Sequence, residues 1–140
     1  MIIADTGFWL ALANRRDRDH GRARAALGRL REPLVTTWPV LTETSHLLMA
    51  RLGPHALFKF VESAARGAFE LFELKPSHLP TLLALMQKYR ELPMDLADAS
   101  LVIVAEELGS GRILSTDRRD FGTCRWKNRR PFKNLLALDS

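Results

Sequence analysis

Short apolar runs that alternate with helix-patterned segments constrain this chain most, because that alternation is what a parallel sheet with crossover helices requires. Residues 1–4 suit a buried strand, residues 34–37, 69–74 and 112–115 supply three more, and 135–138 is a candidate last strand. Residues 8–13 follow the first run, and a basic helix near 20–31 is stopped by Pro33. Pro39 suits the first position of a helix carrying Val40, Thr44, Leu47 and Leu48, and Gly53-Pro54 separates it from another ending near residue 66. Pro76 opens a helix to residue 90. The best-defined helix covers 96–108, where Leu101, Val104, Ala105 and Leu108 recur at i, i+3, i+4 and i+7 ahead of Gly109. The segment between residues 115 and 135 reads as irregular and basic. The expectation is an α/β domain with a central, mostly parallel sheet flanked by helices.

No repeat, linker or low-complexity tract interrupts the 140 residues, so a single domain spanning 1–140 is expected. A chain of this length buries roughly two-thirds of its unfolded surface and needs no disulfide or structural zinc to hold a core. Its one cysteine, Cys124, forms no internal disulfide, and no Cys/His cluster has zinc spacing. A cytoplasmic location is the corresponding expectation. An acid, Asp5, stands where an export signal needs basic residues, and no apolar run approaches a membrane-spanning length.

The formal net charge of +5 favours a polyanionic partner. Arg118, Arg119, Arg125, Lys127, Arg129, Arg130 and Lys133 cluster near the C-terminus, interleaved with Phe121, Trp126 and Phe132. Cations on phosphates and rings on bases would suit single-stranded nucleic acid. The plainer alternative is a solvated basic face whose rings anchor the tail to the core. A second basic group, Arg15, Arg16, Arg18, Arg22 and Arg24, adds to the first.

In a basic chain the acids at strand and helix ends are the informative residues. Asp5 ends the first strand, Glu43 lies on the helix after the second, Asp98 opens the best helix, and Asp117 follows the 112–115 strand. In a parallel α/β sheet those positions share one edge. Each acid has a second reading. Asp5 and Asp117 suit helix N-caps, Asp120 stands at capping-box distance from Asp117, and Asp95 and Asp98 suit the first-turn dipole. Glu43 lies beside an apolar stripe, where a buried charge needs a partner. Crowded carboxylates raise one another's pKa unless a cation holds them ionised, and Mg²⁺ or Mn²⁺ with oxygen ligands is the hard cation for that task.

With those residues in view, the chain resembles the PIN-domain proteins, specifically the VapC-like ribonuclease toxins of toxin–antitoxin pairs. The resemblance rests on Ile2-Ile3-Ala4-Asp5-Thr6, Thr42-Glu43, Asp98-Ala99-Ser100-Leu101, and Ser115-Thr116-Asp117 followed by Arg118-Arg119-Asp120-Phe121. It implies a PIN-like three-layer α/β/α fold, RNA cleavage dependent on Mg²⁺ or Mn²⁺, a cognate antitoxin seated in the active-site groove, and a homodimer. Carried over residue by residue, Asp5, Glu43, Asp98 and Asp117 are the metal-binding catalytic acids, with Asp95 a further candidate as ligand, supporting residue or helix cap. Arg15, Arg16, Arg118, Arg119, Arg125, Lys127, Arg129 and Arg130 are candidates for holding RNA. Gly7 stands where many relatives carry a small hydroxyl residue, and Thr6 and Thr116 are candidate hydrogen-bond supports. His20, His46, His55, His78 and Cys124 lack partner motifs and receive no catalytic role. Leu47, Leu48, Phe58 and Phe60 suit either a dimer surface or the core. The alternative function is a catalytically silent PIN-like module that binds nucleic acid or protein.

Overall fold

The computed structural model describes residues 1–136, except for the side chain of Arg118. Three branched or small apolar residues make β1 (Ile2–Ala4), which is wholly buried and takes the centre of a five-stranded sheet. It pairs in parallel with β2 (Leu34–Thr37), Ile2 opposite Leu34, and with β4 (Arg112–Leu114), Ile3 opposite Ile113. β3 (Glu70–Phe72) lies outside β2 and β7 (Lys133–Asn134) outside β4, also in parallel, giving the order β3-β2-β1-β4-β7. Because every strand runs the same way, the strand C-termini share one edge, where the first turns of the following helices also lie.

The helices are α1 (Thr6–Ala13), α2 (His20–Arg29), α3 (Trp38–Leu52), α4 (Pro54–Ala65), α5 (Leu79–Lys88), α6 (Leu96–Leu108) and α7 (Arg118–Thr123). α6 is the central one: eight of its residues, from Ala97 to Ala105, are buried, and Gly109 ends it in the left-handed conformation (φ 67°). A ring cluster of Phe8, Trp9, Phe60 and Phe69 fills the space beneath α1, with Trp9 and Phe69 centroids 4.4 Å apart.

Several boundaries differ from the sequence expectation. The 76–90 segment divides into a 3-10 turn, Pro76–His78, and α5, because Pro80 has no N–H with which to continue one ladder from Pro76. The helix preceding Pro33 already ends at Arg29. The stretch read as irregular contains α7 and an antiparallel hairpin, β5 (Arg125–Trp126) with β6 (Arg130–Pro131). Its turn uses positive φ at Lys127 (50°) and Asn128 (65°), so no glycine marks it. The last strand lies at Lys133–Asn134 rather than 135–138; Leu135 and Leu136 form a turn, and residues 137–138 lie outside the described residues.

The basic tail's rings face inward. Phe121 and Trp126 are buried, and Phe132 packs edge-on against Phe121 at 5.3 Å. Of the two readings of that segment, anchoring to the core is the one the structure adopts. Leu48 and Phe60 are likewise core, whereas Phe58 is 65% exposed. No helix among the described residues is long and apolar enough to cross a membrane.

Candidate active site

Asp5 is both cap and site residue. Its Oδ1 accepts the Phe8 N–H at 2.8 Å, closing the N-terminus of α1, while its Oδ2 accepts the Ser115 hydroxyl. The carboxylate is almost fully buried, so desolvation pushes its pKa up to about 7; the Ser115 and Phe8 donors oppose this, and the charges of Asp117 and Glu43 add to it. Ser115 follows β4 directly and is itself fixed. Its N–H donates to Asn134 Oδ1 at 3.1 Å, and its carbonyl accepts from Asn134 Nδ2 at 2.9 Å, so the outermost strand clamps the residue that holds Asp5.

Asp95 caps α6 by accepting the Asp98 N–H at 2.8 Å, and Asp117 caps α7 by accepting the Asp120 N–H at 2.9 Å. The cap and ligand readings are thus compatible: capping fixes the acids at the sheet edge. Asp98 lies in the first turn of α6, half-buried. Burial, then the charge of Asp95 and the contact with Asp120, raise its pKa to about 9, so without a cation it is neutral. Burial also raises Glu43, with the Thr6 hydroxyl opposing and Asp95 reinforcing the shift. The hydroxyls of Thr37 and Ser100, 2.6 Å apart, tie the start of α3 to α6 and so hold Glu43 and Asp98 on neighbouring elements.

The structure brings Asp5, Glu43, Asp98 and Asp117 to one edge with Asp95 beside them, and adds Asp120. This residue is 5% exposed, contacts Asp98 and Asp117, and is raised to about 6 mainly by burial; its Oδ1 is buried without a hydrogen-bond partner. The sequence signal was present, since Asp120 stands three residues after Asp117, but its spacing reads as a cap. Its side chain links Asp117, the cap of α7, to Asp98 on α6. Gly7 also gains an explanation: a Cβ there would stand 1.9 Å from the Thr116 hydroxyl and 3.5 Å from Asp5 Oδ1, so Thr116 occupies the room that a residue-7 side chain needs.

The residues fit a hard divalent cation. All donors are carboxylate oxygens, burial first and neighbouring carboxylates second raise the pKa of Asp5 and Asp98, and one buried oxygen of Asp120 has no hydrogen-bond partner. Among the described residues, no three His, Cys, Asp or Glu side chains are placed so as to hold a metal ion between them.

The basic candidates separate. Arg119 lies beside the acids, where its charge lowers Asp120, and its guanidinium donates to the Leu92 carbonyl. Arg125 is committed elsewhere, its Nη1 donating to the carbonyls of Gly122 and Thr123 in the last turn of α7 and of Cys124 just after it. Arg130 and Lys127 sit over the Trp126 ring at 5.3 and 5.8 Å. Arg129 is exposed near the hairpin, whereas Arg15 and Arg16 follow the far end of α1, about 12 Å of helix from Asp5. Arg118 opens α7. Cys124 is buried and its thiol is pushed up to about 12, chiefly by burial, which leaves it unreactive.

Comparison with known proteins bears on this arrangement. A family model described as the PIN domain matches residues 2–124. The chain is 27% identical over 124 residues to ribonuclease VapC26 of Mycobacterium tuberculosis, covering 89% of this chain and 92% of the relative. Its fold matches the crystal structure of M. tuberculosis VapC20, a sarcin-ricin loop cleaving toxin, with a TM-score of 0.80 at 22% identity over 86% of this chain and 92% of that one. It also matches PAE2754 from Pyrobaculum aerophilum, with a TM-score of 0.55 at 23% identity over 89% and 85% of the two chains.

Proposed function

Because the chain belongs to the PIN-domain family, we propose that it is a metal-dependent endoribonuclease that acts as the toxin of a toxin–antitoxin pair. The observation that carries this reading is the convergence of Asp5, Glu43, Asp98, Asp117 and Asp120 at one sheet edge of a chain with net charge +5. Asp5, Glu43, Asp98 and Asp117 would hold Mg²⁺ or Mn²⁺, with Asp95 and Asp120 beside them. Bound there, the cation supplies an acidified water and neutralises charge developing on a phosphodiester.

The chain's own groups do the rest. Ser115 orients Asp5, and the N-caps of α6 and α7 keep Asp95 and Asp117 at the rim. Arg119, next to the acids, holds the RNA backbone; the exposed Arg15, Arg16, Lys127, Arg129 and Arg130, with Arg118, steer RNA toward the protein, a sequence-independent attraction that weakens with salt. Partners on this reading are RNA, a cognate antitoxin covering the acidic edge, and a second copy of the chain, in the cytoplasm.

The test is cleavage of a mixed single-stranded RNA pool by purified protein with Mg²⁺, with Mn²⁺ and with EDTA, beside Asp98→Asn prepared identically. Cleavage that needs metal and disappears in the variant supports the ribonuclease. Equal behaviour of both proteins, with RNA still bound, replaces it with a catalytically silent binding module.

A further inference from the structure

The described residues include three tryptophans with opposite fates. Trp9 and Trp126 are each 6% exposed, whereas Trp38 is 56% exposed. Trp38 is the first residue of α3, immediately after Thr37 ends β2, so it stands on the same sheet edge as the acids. It forms one wall of an open groove of about 690 Å³, shared with Pro39, Glu43, His46, Asp95 and Leu96. Two of those residues, Glu43 and Asp95, belong to the acidic cluster, so the groove and the candidate reaction centre are continuous. Among the described residues no ring and no cation faces the Trp38 indole, in contrast to Trp126, which carries Arg130 and Lys127.

We propose that Trp38 is a stacking platform for an unpaired nucleobase of the RNA strand, next to the phosphodiester held at the acids. The inference rests on the ribonuclease reading and adds a base subsite to it. Chemistry favours a base over a phosphate at Trp38: among the described residues no Lys or Arg lines the groove to hold a phosphate there, while a neutral, flat, amphipathic ring can cover Trp38, Pro39 and Leu96. The basic tail does not supply this contact, since its rings Phe121 and Trp126 are buried. Because every base presents a π-face, the platform selects for single-stranded character more than for one base.

Intrinsic fluorescence gives a direct readout, since the other two indoles are buried. A dye-labelled single-stranded RNA oligonucleotide is titrated into Asp98→Asn protein with Mg²⁺, binding being followed by anisotropy of the dye and stacking by quenching of indole emission with unlabelled RNA. Quenching that tracks binding and is lost in Trp38→Phe is expected. Trp38→Ala should weaken binding roughly 5- to 150-fold, the range for losing one base–aromatic stack, with an unchanged salt slope because no phosphate contact is removed. Thermal melting of both variants checks that the fold is retained.

Binding without quenching, or with Trp38→Ala binding as tightly as its parent, overturns the platform and leaves the ribonuclease reading standing. A Trp38 emission that shifts to shorter wavelength with protein concentration before RNA is added, matched by dimer formation in sedimentation, assigns the groove to a second copy and also overturns it. Absence of any RNA binding, in the parent and in the wild-type protein, removes both readings together.

Discussion

The Ser115 hydroxyl donates to the Asp5 carboxylate across 110 residues of chain. Asp5 closes the central strand and Ser115 follows its neighbour β4, so the bond exists only because the two strands pair in parallel with Ala4 opposite Leu114. It leaves a buried acid oriented, and the Asn134 amide fixes the orienting residue in turn.

Removing that hydroxyl should loosen the site more than the fold. Ser115→Ala is expected to weaken Mg²⁺ affinity or RNA cleavage about 10- to 100-fold, the usual cost of losing a residue that orients a metal ligand. Asn134→Ala should act in the same direction by releasing Ser115. Mg²⁺ titration of cleavage, with melting temperatures for both variants, is the check; unchanged Mg²⁺ dependence would show that Asp5 is oriented by other contacts.

The acids should trade stability against function. Asp120→Asn takes one charge out of the cluster beside Asp98 and Asp117, and in metal-free buffer it is expected to stabilise the protein by about 0.5–2 kcal/mol while lowering cleavage. Urea unfolding in EDTA together with an RNA cleavage assay measures the two effects. Destabilisation with cleavage intact would remove Asp120 from the site.

The pH dependence follows from the same crowding. Asp98 and Asp5 have folded-state pKa values of about 9 and about 7, above the ordinary aspartate value, so the metal-free folded protein binds more protons than the unfolded chain between pH 4 and 9. The contribution of these groups to stability is therefore fully present at acid pH and falls as pH rises through 7 and then 9. Mg²⁺ favours the ionised forms, so its stabilisation should grow over the same window, with protons released on binding. Melting temperatures across that range, with EDTA and with Mg²⁺, would refute this if the metal effect were flat.

At the hairpin the prediction concerns packing alone. A Cβ at Gly111 would lie 2.3 Å from Trp126 Nε1, whose N–H donates to the Pro131 carbonyl at 3.1 Å. The indole cannot yield without breaking that bond, so Gly111→Ala should destabilise by about 1–3 kcal/mol and leave metal affinity unchanged. Chemical denaturation and Mg²⁺ titration distinguish this from a change at the acids.

What the sequence by itself determined was periodicity and order: strands at 34–37 and on either side of it, the helix over 96–108 with its glycine stop, and four acids spaced so that a parallel sheet would gather them. Those features are local, or depend only on the direction in which strands run, and they sufficed for the PIN resemblance. Tertiary structure decided the rest. Asp120 reads as a cap in sequence, and only the tertiary fold brings its side chain beside Asp98 in the acidic cluster. Ser115 and Asn134 are ordinary polar residues until parallel pairing brings them beside Asp5. Three tryptophans look alike in a sequence; burial of Trp9 and Trp126 and exposure of Trp38 depend on which side of each element meets the core, and that is settled by contacts between residues far apart in the chain.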